Sequence, residues 1–102
     1  MEVRLERHIR YDTDRMVTEI VHSCQDMRVI VISLSPGQSL PAHTSSSSVS
    51  LHVVAGSGEL LTGCDWVPAG TGTIRFYPPQ EPHGVRAVDQ PVTVLATLAP
   101  RP

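Results

Sequence analysis

Between Gly72 and His83 the chain reads Gly-Thr-Ile-Arg-Phe-Tyr-Pro-Pro-Gln-Glu-Pro-His, and no other stretch restricts the fold as much. Thr73–Tyr77 is β-branched and aromatic, the composition of a strand. Pro78, Pro79 and Pro82 lack the amide N–H that a central ladder requires, so the strand stops there. Gly84–Val88 then begins a second strand. His83 is therefore held where two strands meet, behind a stiffened turn. An imidazole anchored in this way suits metal ligation or acid–base chemistry.

The same punctuation governs the rest of the chain. Nine prolines and seven glycines separate short apolar runs, which predicts an all-β protein. Residues 3–11 alternate, with Val3, Leu5, Ile9 and Tyr11 on one side and Arg4, Glu6, His8 and Arg10 on the other. That pattern predicts a half-buried strand with a polar outer face. Residues 16–24 fit either a helix capped by Asp14 or a strand from Met16 to His22, and the β character downstream favours the strand. Met27–Leu34 reads as a buried central strand, followed by a tight turn at Pro36-Gly37. Ser45–Ser48 reads as a flexible loop edge, Val49–Val54 as a strand, and Ala55–Gly58 as a turn into Glu59–Thr62. Trp66-Val67 and Val92–Leu98 complete the set, with a frayed tail after Leu98. About eight to ten short strands with turns every ~8–12 residues predict a sandwich or barrel, and a jelly roll handles the strand edges of so short a chain best.

At 102 residues the chain is expected to form one domain, residues 1–102, with a single modest core. The net charge is −2 and all eight basic residues are scattered arginines, so no basic stripe points to nucleic acid. No apolar run approaches the ~20 residues of a membrane span, and the charged start is unlike a signal peptide. A cytoplasmic location is expected. Lysine and asparagine are absent, which reads as the codon bias of a GC-rich bacterial genome. Cys24 and Cys64 have no metal-type spacing and read as two reduced thiols.

Two motifs make the chain resemble a small single-domain cupin. One pattern is glycine, five residues, proline, one residue, glycine, two residues, histidine, three residues, asparagine. Gly72, Pro78 and His83 match it, while Gln80 replaces the second glycine and Ala87 the asparagine. The other is glycine, five residues, His-x-His, three or four residues, glutamate, six residues, glycine. Gly37, His43 and Gly56 fit, with Gly58-Glu59-Leu60 continuing the pattern. Ser45 stands where the second histidine belongs, and Val49, or Ser50 in a loop one residue longer, stands where the glutamate belongs. The motifs lie at about 37–58 and 70–87.

The resemblance implies an all-β double-stranded β-helix, a jelly-roll barrel that pairs as a homodimer. It also implies a site that offers three histidines and a glutamate to iron, manganese, nickel or zinc. Only His43 and His83 remain of those ligands. Two imidazoles fall short of the three protein ligands that catalytic transition-metal sites generally use. His52 has the parity opposite to Val49, Leu51 and Val53, so it should point outward. A register break at Ser45–Ser48 would instead turn it inward as a replacement ligand. Tyr77, Gln80, Glu81, Ser45 and Val49 are the candidate pocket residues. The plainer alternative is core for Tyr77 and solvated loop for Gln80, Glu81 and Ser45. His8 and His22 are expected at the surface, and Phe76 and Trp66 in the core. Three readings follow: a barrel that binds a small molecule, with or without a loosely held divalent metal; a metal-dependent oxygenase or isomerase with an unconventional third ligand; and a non-catalytic sensor or accessory module.

Overall fold

A computed structural model describes all residues, 1–102. Eight strands follow one 3-10 turn (Leu5–Arg7): β1 (Val17–Ser23), β2 (Arg28–Leu34), β3 (Ser39–His43), β4 (Ser48–Thr62), β5 (Asp65–Gly70), β6 (Ile74–Tyr77), β7 (His83–Arg86) and β8 (Val92–Ala99). They curl as one antiparallel path, β1-β2-β8-β4-β7-β3, with β5 and β6 also paired to β4. No helix is long and apolar enough to cross a membrane.

β4 joins the two halves of the barrel. Its first part pairs with β8 and β6, and its second part with β5 and β7. The Ala55–Gly58 segment, expected to be a turn, is instead the bend of one continuous strand. A register shift falls between Val53 and Ala55. Gly56 follows at φ +74°, where a Cβ would collide with the Pro91 carbonyl oxygen. Only glycine allows both the left-handed backbone and that approach.

Alternation fills the space between the halves. Leu34, Val53, Val85 and Val94 are fully buried, with Leu51, Leu60 and Val92 beside them. Burying a side chain of this size stabilises by about 1.5–3 kcal/mol. Tyr77 closes the core by donating its hydroxyl to the Leu61 carbonyl at 2.7 Å.

Several other local expectations change. Residues 3–11 form no strand: the 3-10 turn at Leu5–Arg7 breaks the extended backbone, and no neighbour supplies a ladder. Their alternation survives as packing, because Val3 and Leu5 lie over the outer face against Val21, Val29 and Leu95. Tyr11 hydrogen-bonds Thr93 Oγ1 at 2.7 Å. The serine loop is anchored, since Ser47 is 1% exposed and donates its hydroxyl to the Pro100 carbonyl. The tail is tied as well, through the Arg101 N–H and the Gln25 carbonyl. Phe76, expected in the core, faces outward and is 74% exposed, because alternation along β6 gives the buried side to Tyr77. Residues 17–23 do form a strand, as the β character of the chain favours.

Candidate functional site

β3 and β7 run antiparallel with His43 directly opposite His83. Side chains paired across a ladder share a face, and the two imidazole centroids are 4.1 Å apart with ring planes at 61°. His43 Nδ1 lies 2.9 Å from the Pro41 carbonyl oxygen and His83 Nδ1 lies 3.3 Å from the Glu81 carbonyl oxygen. A carbonyl only accepts, so each Nδ1 carries the hydrogen in these bonds. In the neutral ring that leaves Nε2 as a lone-pair acceptor.

His83 is buried and His43 exposed. Loss of water around His83 pushes its pKa below the ordinary histidine value. The bond to the Glu81 carbonyl opposes that shift, and the neighbouring His43 adds to it. Tyr77 packs its ring 5.6 Å from His83, and burial raises its own pKa to about 12. It stays a neutral hydrogen-bond donor to the core and forms a wall behind the imidazole.

Both histidines border a cavity of about 270 Å³ within the barrel. Its other walls are apolar. Val49 contributes from β4, Ile30 and Ile32 from β2, Leu40 from β3, and Leu98 from β8. Ile20, 60% exposed on the edge strand β1, forms a lip. Of these, only His43, His83 and Val49 stand out as candidates in the sequence. Ile30 and Ile32 are visible there as one face of the β2 run, but which face turns inward depends on the pairing of β2 with β8.

The remaining candidates lie elsewhere. His52 pairs with Leu95 and Ile74, between the buried Leu51 and Val53, and is half-buried on the outer face. The register across Ser48–Val53 is unbroken, so nothing turns it inward. Ser45 accepts the Ser47 N–H on its Oγ and the Gln80 N–H on its carbonyl, and it is a turn residue. Gln80 is exposed at φ +70°, a conformation that favours glycine and explains why the resembled motif has one there. Glu81 acts through its backbone carbonyl, and its carboxylate is not among the cavity walls. Tyr77 belongs to the core. Of the outlying histidines, His8 is half-buried and donates from Nδ1 to Glu19 at 3.2 Å. His22 is half-buried under the N-terminal segment. Trp66 is half-buried beneath the Arg86 guanidinium, 4.6 Å from its ring centroid.

The donor set does not fit a resident transition metal. No group of three or more histidine, cysteine, aspartate or glutamate side chains converges anywhere in the chain. At the two missing ligand positions stand Ser45, engaged in its own turn, and Val49, buried and apolar.

Comparison with known proteins agrees with this architecture. A profile for the cupin domain matches residues 30–98. A crystal structure of an RmlC-like cupin protein from Desulfovibrio desulfuricans is 33% identical, with TM-score 0.88 over 98% of this chain and 96% of that one. The structure of TT1209 from Thermus thermophilus is 30% identical, with TM-score 0.90 over 100% of both chains. KdgF from Halomonas sp. is 19% identical at TM-score 0.78, covering 85% of this chain and 82% of its own, and shares the fold. No curated protein matches. With the domain profile spanning most of its strands and two relatives of at least 30% identity along nearly its whole length, the chain belongs to the cupin family.

Proposed function

We propose that this cupin binds a small, mainly apolar molecule in its barrel and holds a hydroxyl or N–H group of that molecule on the Nε2 atoms of His43 and His83. The observation that carries the reading is the imidazole pair itself. Both Nδ1 atoms are engaged by backbone carbonyls, and both rings border an otherwise apolar cavity. Such sites combine apolar walls with a few fixed polar groups that set orientation. A cavity of about 270 Å³ is at the lower end of ligand sites, which limits the occupant to a small molecule.

A divalent metal would have to be held by the two imidazoles alone, so the reading is of a metal-free barrel. The oxygenase or isomerase reading needs a third ligand, and His52 lies on the wrong face to provide it. A sensor role remains compatible with the same site, since occupancy would be the signal. A homodimer is proposed as well, on the support of Phe76 and Ile74, which are 74% and 48% exposed on one face of the edge strand β6.

Calorimetry with 1-hexanol and hexylamine, as probes with a donor on an apolar chain, tests the binding reading. Binding that weakens about five-fold or more in His83→Phe and His43→Phe supports it, a loss of the size of a net hydrogen bond. Equal binding in wild type and both variants overturns it. For the dimer, light scattering at micromolar concentration should give twice the chain mass of 11.1 kDa, and a monomer would refute pairing.

A further inference from the structure

The geometry points to a second recognition element at the barrel rim: Arg28 pairs with a carboxylate, so the occupant of the cavity is an amphipathic acid. This inference rests on the binding reading above and names the class of ligand.

Arg28 opens β2, and the β2–β8 register runs without a break from Arg28↔Leu98 through Ile30↔Ala96 and Ile32↔Val94. Residues two apart on a strand share a face. Ile30, Ile32, Ala96 and Leu98 all line the cavity. Arg28 therefore belongs to the inward-facing row, one step beyond the lining residues. Across β1 its register partner is Ser23, which is exposed, so this end of the row is open to solvent.

Arg28 is also unpartnered. The two ion pairs of the chain are His8–Glu19 and Arg86–Glu59, and neither involves it. Its Nε is buried and has no hydrogen-bond partner. The side chain as a whole is half-buried, and a planar carboxylate is the group its donor fork fits best.

The chemistry at the histidines assigns the anion to the rim. With Nδ1 donating to carbonyls, Nε2 is the atom each ring has left to accept, and an acceptor pair repels a carboxylate. A molecule with an acid at one end therefore has one favourable orientation, chain in the barrel and carboxylate at Arg28. Arg75 is the other arginine in an inward register, opposite Leu51 on β6 beside Tyr77. It is not on the Arg28 row and supplies an internal control.

The test compares 6-hydroxyhexanoate with 1-hexanol, which share the hydroxyl donor and differ in the carboxylate, by calorimetry on the full chain at pH 7.5. 6-Hydroxyhexanoate should bind about five-fold tighter, the upper size of a partly exposed ion pair. Arg28→Gln should abolish that preference, Arg28→Lys should keep part of it, and Arg75→Gln should leave it intact. In the wild type, raising NaCl from ~50 mM to ~500 mM should weaken 6-hydroxyhexanoate and leave hexanol unchanged. This arm stands even should Arg28→Gln fail to fold. Hexanol binding as tightly as 6-hydroxyhexanoate, no salt dependence, or a preference surviving in Arg28→Gln overturns the role of Arg28 while leaving the cavity reading in place. Failure of both probes to bind overturns the cavity reading and this inference with it.

Discussion

His43 and His83 face each other across the β3–β7 ladder, and each ring donates from Nδ1 to the backbone carbonyl two residues before it, at Pro41 and Glu81. The repetition has a simple origin. Each histidine follows a proline-containing segment, Pro41-Ala42 in one case and Glu81-Pro82 in the other. In each, the i−2 carbonyl lies within reach of the ring. Two motifs distant in sequence thus bring two imidazoles with the same Nδ1 bonding to one cavity.

Acidification should destabilise the fold through His83. Burial holds its folded pKa below the unfolded value of ~6.5. Above ~6.5 neither state is protonated there and the contribution is complete. As the pH falls from ~6.5 through the folded pKa, the unfolded chain takes up a proton that the folded chain resists, and stability declines. The difference in urea midpoint between wild type and His83→Asn should shrink from pH 7.5 to pH 5. A difference constant with pH would mean that His83 titrates alike in both states.

Gly56→Ala should cost more than about 3 kcal/mol, because it drives a Cβ into the Pro91 carbonyl in a left-handed backbone. Gly37→Ala provides the contrast. It has φ +85° and nothing within 4 Å, so only the backbone penalty of about 1–2 kcal/mol applies. Urea denaturation of both variants should rank them in that order, and equal losses would show that the bend tolerates displacement.

Gln80→Gly should hold or raise stability, by up to about 1 kcal/mol. Relief of a left-handed non-glycine residue, worth roughly 1–2 kcal/mol, exceeds the added entropy of an unfolded glycine, about 0.5–1 kcal/mol. A clear drop in melting temperature would indicate that the Gln80 side chain stabilises the turn.

Tyr77→Phe removes the hydroxyl that the Leu61 carbonyl accepts in the core, at a cost of about 1–2 kcal/mol. It should leave hexanol binding unchanged, because Tyr77 is not a wall of the cavity. A change in affinity without a change in stability would contradict its placement behind His83.

Much of this arrangement is legible in the sequence. The prolines after Tyr77 stop β6 where the structure stops it, and the resemblance to the two cupin motifs puts His43 and His83 at one site. Parity places His52 outside the barrel. What stays hidden depends on contacts between distant segments. The alternation of Val3, Leu5 and Ile9 is what a strand requires, but a strand also needs a partner, and the outer face offers packing without a ladder. Ala55–Gly58 carries turn residues, yet the same glycine that permits a turn lets a 15-residue strand bend past Pro91. Arg28 looks like an interruption of an apolar run, and only the β2–β8 register puts it on the inner row.

The most direct measurement is the nitrogen chemical shift of the imidazole rings by NMR, in ¹⁵N-histidine-labelled protein at pH 7.5, before and after addition of 1-hexanol. His43 and His83 should each carry a proton on Nδ1, and hexanol should move the Nε2 signals of these two rings while His8, His22 and His52 stay fixed. Protons on Nε2, or a hexanol titration that leaves both rings unmoved, would contradict it.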